Sequence, residues 1–166
     1  METIPSVAKE FLSQQRLAVV GISSSKQTVA NGVYKKLKNG TRTVYAVGKN
    51  TSTFENDTCY PNLASLPSPV DGVFIAVKND NTEQVVDECI ALHIPRVWMH
   101  DMSGITKMSG AATPRGSSVS VQAVQKCREH NIAVIPGACP MMFLDDADFG
   151  HKCFKWFLSI TGKLKV

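Results

Sequence analysis

The chain has 166 residues, of which 43% are hydrophobic and 19% charged, a composition that can bury a core and excludes a globally disordered protein. Its formal net charge is +4, and the scattered charges suit a small anionic ligand but form no basic run of the kind that binds nucleic acid. The length predicts one domain covering residues 1–166.

The start of the chain and its cysteines predict where the protein resides. Residues 1–5 lack the basic and apolar segments of a secretory signal, and no apolar stretch approaches the roughly 18 residues that a membrane-spanning helix needs. The five cysteines are widely spaced with no Cys-x-x-Cys motif, which disfavours a disulfide framework or a structural zinc site. We therefore expect a cytoplasmic protein that neither enters a membrane nor holds a metal.

Strand-like and helix-like segments alternate along the chain. Short, almost wholly apolar runs, typical of strands buried on both faces, occur at residues 17–22, 43–48, 70–77, 96–100 and 132–136. Apolar residues at helical spacing predict helices between strands at 29–37, 82–90 and 121–127, and near the termini at 4–12 and 149–160. The segment between the second and third strands contains three prolines and is predicted to be a loop. The pattern predicts an α/β fold: a Rossmann-like, doubly wound, five-stranded parallel sheet with strand order 3-2-1-4-5 and an extra helix at each terminus.

The loop after the first strand is the first candidate site, because an open sheet of this kind binds its ligand beyond the carboxyl ends of the strands. Its residues are Gly21, Ile22, Ser23, Ser24, Ser25 and Lys26. Backbone amides at a helix start, hydroxyl groups and one lysine together favour a phosphate or diphosphate. The dinucleotide fingerprint G-x-G-x-x-G is not met, since Ser23 takes the position of the second glycine and Lys26 that of the third. The alternative is an ordinary strand-to-helix turn capped by serine.

The end of the second strand is the second candidate site. It consists of Val47, Gly48, Lys49 and Asn50. A site for NAD needs a carboxylate about here to bind the ribose hydroxyls, and these residues include none. Lys49 instead favours an adenosine ribose that carries its own phosphate, as in NADP and coenzyme A. The alternative is a solvated surface lysine.

Three further groups near strand ends or helix starts are candidates for chemistry. Cys139 follows the fifth strand, where it can act as a nucleophile or form a mixed disulfide if its pKa is lowered, although such a cysteine is more often a buried small hydrophobe. His100 and Asp101 resemble a base with an orienting carboxylate, but adjacent side chains of a strand point to opposite faces. The carboxylates of residues 145–148 are better explained by the start of the last helix.

The sequence resembles the coenzyme A-binding domain family, the single-domain Rossmann-like proteins of the YccU type. It is more distantly similar to the N-terminal domain of the succinyl-CoA synthetase alpha subunit. The resemblance extends from about residue 11 to residue 144 and rests on matching segments at 20–26, 44–50, 60–63, 69–73, 97–99 and 137–140. The chain departs from the family pattern at the second strand end, where the family usually has Val-Asn-Pro, and in an insertion at 104–116.

The resemblance implies that the ligand is coenzyme A or an acyl-CoA, bound without an evident catalytic set. The loop at 21–26 would hold the diphosphate, and Lys49, with Val47 and Asn50, would flank the adenosine near its 3′-phosphate. Residues after the third strand, namely Ala76, Val77 and Lys78, would touch the pantetheine or the adenine. Neither nucleic acid nor a membrane is an expected partner, and the sequence names no protein partner.

Two other functions stay open from the sequence. An NADP-binding oxidoreductase would share the lysine at the second strand end, but the missing glycines and the lack of a recognisable hydride-transfer set argue against it. A regulatory domain that senses a nucleotide would need no catalytic residues.

Overall fold

A central sheet with helices on both faces forms the framework of the protein. The structure is a computed structural model that describes residues 4–105, 116–144 and 152. Its helices are α1 (Ile4–Leu12), α2 (Val29–Lys38), α3 (Asn79–Ala91) and α4 (Val121–Glu129), with short 3₁₀ helices at Leu63–Ser65 and Pro140–Met142. Its strands are β1 (Arg16–Val20), β2 (Thr43–Val47), β3 (Thr53–Phe54), β4 (Asp57–Tyr60), β5 (Gly72–Ile75), β6 (Arg96–Met99), β7 (Asp101–Ile105) and β8 (Ala133–Ala138). None of the helices in these ranges is both long and apolar enough to cross a membrane.

The Rossmann-like α/β architecture is confirmed, but the predicted strand count and order are wrong. Over the described residues the sheet has eight strands in the order β3-β4-β2-β1-β5-β6-β8-β7. The five predicted strands correspond to β1, β2, β5, β6 and β8, and they are arranged 2-1-3-4-5. The third predicted strand therefore pairs with β1, from Leu17 opposite Gly72 to Val20 opposite Ile75, and does not lie outside β2.

The short strand β4 occupies the position beside β2 that is predicted for the third strand. It lies in the segment where the sequence predicts a loop. It pairs in parallel with β2, with Ala46 opposite Cys59 and Val47 opposite Tyr60. The Asp57 carboxylate accepts hydrogen bonds from the Lys38 ammonium and the Tyr34 hydroxyl of α2, which lowers the pKa of that carboxyl. These contacts hold β4 against the sheet although only one of its four side chains is buried.

The outermost strands are antiparallel, so the sheet is mixed and not wholly parallel. β3 pairs with β4 in a hairpin, and β7 pairs with β8 with a shift of register between Asp101 and Ile105. β7 occupies the start of the predicted insertion, and residues 106–115 of that insertion lie outside the described part of the chain. The predicted last helix at 149–160 and the acidic residues before it also lie outside it, apart from Lys152.

The core consists of one apolar layer on each face of the sheet. Along β1, Leu17 and Val19 face α1 and α2, whereas Ala18 and Val20 face α3 and α4. Trp98 is wholly buried in the first layer, where its indole packs edge-on against Phe11, with ring centroids 5.4 Å apart. The indole N–H donates to the Gly137 carbonyl at 2.8 Å, which satisfies its polar atom. The prediction that Trp98 belongs to the core is confirmed.

Candidate functional site

Two glycines allow the ends of β1, β2 and β5 to approach one another closely. A Cβ at Gly21 would lie 2.4 Å from the carbonyl oxygen of Ala76, and the φ of Gly21 is +115°, so both space and backbone conformation favour glycine. A Cβ at Gly48 would lie 2.3 Å from the carbonyl oxygen of Ile22. The two predicted segments, 21–26 and 47–50, therefore lie next to each other and next to the end of β5.

The loop after β1 is fixed by a buried amide of α2. Asn31, 2% exposed, accepts a hydrogen bond from the Ser23 N–H at 3.1 Å and donates to the carbonyls of Ser23 at 2.8 Å and Lys26 at 3.0 Å. Thr28 caps α2 by accepting from the Asn31 N–H, and its hydroxyl lies 3.1 Å from the Gly21 carbonyl. These hydrogen bonds tie the backbone of the loop to the first turn of α2.

Hydrogen bonds within the protein already use several amides that the sequence assigns to a phosphate. The N–H groups of Gly21 and Ile22 donate to the Val47 carbonyl at 3.0 and 3.1 Å. The Ser23 N–H is bound by Asn31, as above, and the Ser24 N–H donates to the Thr51 hydroxyl at 3.1 Å. An anion at this loop would therefore be held by the serine hydroxyls, the exposed Lys26 ammonium and the first N–H groups of α2, which a helix leaves without internal partners.

A cavity of about 180 Å³ opens beside these strand ends, on the face covered by α3. Six of the predicted site residues line it: Val47, Gly48, Lys49, Gly21, Ile22 and Val77. Polar side chains of α3 complete the wall, and Lys49 donates to the Gln84 side chain at 3.1 Å. Because cavities that enclose whole drug-sized ligands measure about 300–1,000 Å³, this one has room for one moiety of a larger ligand.

The α3 residues in this wall are not among the site residues that the sequence predicts. Asn81, Gln84 and Glu88 line the cavity, and the Glu88 carboxylate accepts a hydrogen bond from the Leu63 N–H at 2.9 Å. Their spacing of three and four residues indicates one helical face, which is the available sequence signal. Asn31 is not among them either, although it is a polar residue on the apolar face of α2.

Exposed lysines follow three neighbouring strands of the sheet. Lys49 follows β2, Lys26 follows β1 and Lys78 follows β5, and these strands are adjacent in the order β2-β1-β5. Neighbouring strands lie about 4.8 Å apart, so this edge concentrates positive charge where the loop and the cavity meet. Asn50 is exposed beside Lys49, while Ala76 and Val77 are half-buried.

Another cavity, of about 240 Å³, lies at the opposite end of β5. It is lined by nine residues, none of them charged: Leu63, Ala64, Leu66, Pro67, Ser68, Pro69, Val70, Leu92 and Ile94. Its position before β5 and its uncharged lining make it a poor match for an anionic ligand, in spite of its size.

The structure buries Cys139. The residue follows β8, has no exposed surface and belongs to the apolar layer that contains Val33 and Met142. This placement fits the interpretation of Cys139 as a small core residue, and the side chain offers no surface to a ligand in this conformation. Elsewhere in the core, burial raises the pKa of the Cys127 thiol to about 12 and also raises that of Cys89.

His100 and Asp101 are both buried, each 3% exposed. Burial lowers the pKa of the His100 imidazole, and the neighbouring Asp101 carboxylate opposes that shift. The imidazole lies edge-on to Phe74, with ring centroids 6.0 Å apart. Its Nδ1 has no hydrogen-bond partner, so Asp101 does not orient the ring through that atom as a base–carboxylate pair would require.

The fold and this site define the protein as a Rossmann-like domain whose candidate site lies at the carboxyl edge of the sheet. Residues 15–145 match the family model described as CoA binding domain, so the chain belongs to the CoA-binding domain family.

Two curated relatives carry similar segments within much longer proteins. A 4-hydroxybutyrate–CoA ligase (ADP-forming) of Nitrosopumilus maritimus is 24% identical over 158 residues, which are 94% of this chain and 22% of that protein. An acetate–CoA ligase (ADP-forming) of Archaeoglobus fulgidus is 34% identical over 73 residues, which are 44% of this chain and 11% of that protein. The chain therefore spans about a fifth or less of the length of these relatives.

A solved structure of similar size shares the fold. A hypothetical protein from Pyrococcus horikoshii superimposes with a TM-score of 0.71 at 22% identity, covering 86% of this chain and 91% of that one.

Proposed function

We propose that the protein binds coenzyme A or an acyl-CoA at the carboxyl edge of its sheet. The observation that carries this proposal is the contact of Gly48 with Ile22, which joins the loop after β1, the lysine after β2 and the cavity beside α3 into one site. Membership of the CoA-binding domain family supports the choice of ligand.

The arrangement suggests where each part of the ligand lies. The cavity beside α3 has room for the adenine or its ribose, and Lys49 stands at its rim to meet the 3′-phosphate. The serine hydroxyls, Lys26 and the start of α2 would hold the diphosphate. Lys49 would exchange its bond with the neutral Gln84 side chain for a bond with an anion, which is the stronger interaction.

The proposal assigns binding and no reaction to these residues. The ligase activity of the longer relatives belongs to proteins of which this chain matches 22% or less.

Thermal unfolding with added ligands tests the proposal. A ligand that binds only the folded state at a hundred times its Kd stabilises it by about 2.7 kcal/mol. For a domain of this size that corresponds to a rise in Tm of about 5–11 °C. We expect this rise with coenzyme A and a clearly smaller one with NAD at the same concentration.

The same experiment separates the alternatives. Stabilisation by NADP but not by coenzyme A would identify an NADP site, since both cofactors carry a phosphate that Lys49 can meet. Stabilisation by adenosine 3′,5′-bisphosphate as large as that by coenzyme A would indicate a site that senses the nucleotide and ignores the pantetheine arm. Equal stabilisation by NAD and none by coenzyme A would contradict the proposed function.

A further inference from the structure

His100 occupies a fixed position on the same edge of the sheet as the candidate site. It follows β6 directly, its N–H donates to the Ile75 carbonyl at 2.9 Å, and its own carbonyl accepts from the Ser118 N–H at 2.8 Å. The strand register places it beside Ala76 on one side and Gly137 on the other. The backbone of His100 is therefore held at the carboxyl edge, between the ends of β5 and β8.

One buried polar atom of the His100 side chain has no hydrogen-bond partner in the fold. Its ring lies against Phe74, on the face of the sheet covered by α1 and α2. Among the residues that the structure describes, Nδ1 of His100 is the buried side-chain nitrogen or oxygen that lacks a hydrogen-bond partner. The large majority of buried side-chain polar atoms are hydrogen-bonded, so an exception at the edge that carries the candidate site points to a partner supplied by the ligand.

We infer that Nδ1 of His100 forms a hydrogen bond with an uncharged polar group of the ligand, an amide or hydroxyl of the pantetheine arm of coenzyme A. This inference rests on the proposed function and adds a determinant of ligand specificity to it. No charged partner is needed, because burial lowers the pKa of this imidazole and keeps it neutral at pH 7. A neutral imidazole has one nitrogen that donates and one that accepts, which matches amides and hydroxyls.

The order of the strands gives the arm its direction. Lys49 and Lys26 follow β2 and β1, and the sheet then continues through β5 to β6 and β8. With strands about 4.8 Å apart, His100 lies about 10 Å along the edge from the end of β1. An arm that leaves the diphosphate at the loop and runs along this edge passes His100 before it reaches the end of β8. Because His100 as a residue is only 3% exposed, binding of the arm requires a neighbouring side chain to move.

The test compares two ligands that share the phosphorylated nucleotide and differ in the arm. Coenzyme A and adenosine 3′,5′-bisphosphate are titrated by calorimetry into the wild type, His100→Leu and His100→Asn. Leucine removes both ring nitrogens, whereas the asparagine amide keeps a polar atom one bond beyond Cγ, as Nδ1 is. We expect His100→Leu to lower the affinity for coenzyme A about five- to twenty-fold, as the loss of one hydrogen bond does. His100→Asn should retain most of that affinity. The bisphosphate affinity should stay within about two-fold in both variants.

Imidazole ¹⁵N NMR of the wild type supplies a readout that a purely structural role would not move. The Nδ1 resonance, assigned by its absence from the spectra of both His100→Leu and His100→Asn, should shift with coenzyme A and stay in place with the bisphosphate. An unchanged resonance with coenzyme A would overturn the role of His100 and leave the proposed function standing. An equal loss of affinity for both ligands in the leucine variant would do the same. A wild type that binds neither ligand would overturn the proposed function, and the role of His100 with it.

Discussion

Replacing Gly48 by alanine tests whether the close contact between the ends of β1 and β2 holds the site together. The added Cβ would lie 2.3 Å from the Ile22 carbonyl oxygen and 3.1 Å from its carbon, where ordinary contacts begin at 3.4 Å. The obstacle is backbone, so no side chain can swing away and the two strand ends must separate. Such overpacking typically costs about 1–3 kcal/mol.

The opposing effect of alanine on the unfolded chain reduces this cost but does not cancel it. Replacing glycine restricts the unfolded state and favours folding by about 0.4–1 kcal/mol. We therefore expect Gly48→Ala to lower the free energy of unfolding by about 1–2 kcal/mol, and Tm by about 2–8 °C at this chain length. Thermal and urea unfolding measure both quantities.

Gly32→Ala is the matched control. Gly32 lies within α2, and the nearest atom to an added Cβ is the flexible Cε of Met141 at 4.0 Å. The same substitution should therefore stabilise the protein by about 0.5–1 kcal/mol, because alanine is the better helix former. If Gly48→Ala unfolds at or above the Tm of the wild type while Gly32→Ala behaves as expected, the steric account of the site is refuted.

Three further outcomes follow from the site and its surroundings. In calorimetry, Lys49→Ala should weaken the binding of coenzyme A about ten-fold or more, since a bond to a charged group contributes about 1.5–3 kcal/mol. It should leave the binding of 3′-dephospho-coenzyme A almost unchanged, and equal losses for the two ligands would place the lysine elsewhere. The pKa of His100 is lowered by burial, so the unfolded chain binds more protons below pH 6.5 and the wild type should lose free energy of unfolding as the pH falls through that value. In urea unfolding, the free energy of unfolding of His100→Asn should fall less than that of the wild type as the pH is lowered. Parallel pH profiles for the two proteins would show that His100 does not cause the pH dependence. Cys139→Ser should keep its coenzyme A affinity within about three-fold, whereas an adduct at Cys139 in intact-mass analysis with oxidised coenzyme A would identify a reactive thiol.

The strands that line the core could be predicted from the sequence, but the place of β4 could not. Runs such as Leu17–Val20 predict a strand that is buried on both faces, because every side chain in them is apolar. The residues of β4 are Asp57, Thr58, Cys59 and Tyr60. The strand is held beside β2 by contacts of Asp57 with a helix some twenty residues earlier in the chain. Contacts of that kind leave no periodic pattern in the sequence, so the sequence predicts a loop here and a wrong order for the neighbouring strands.

The candidate site likewise contains residues that the sequence predicts and residues that only the packing of the fold brings into place. Its strand-end residues could be located because parallel strands must all end at one edge, wherever each lies in the order. The wall contributed by Gln84 and Glu88 depends on how α3 is rotated against the sheet, which packing decides. The buried Nδ1 of His100 depends on all the neighbours of one ring, and the sequence shows only the residue type.

The edge strands of the described sheet determine how readily a second copy of the protein could pair with it by adding a strand. An edge strand with a long, regular row of unpaired N–H and C=O groups is a template on which another chain can add a strand and begin aggregation. One border here is β3, with two residues, and its hairpin turns through Glu55 and Asn56, both at positive φ. The other is β7, whose pairing with β8 shifts register along its length. Within the described ranges both borders are thus short or irregular, which disfavours strand addition and protects the apolar parallel strands between them from pairing with another copy.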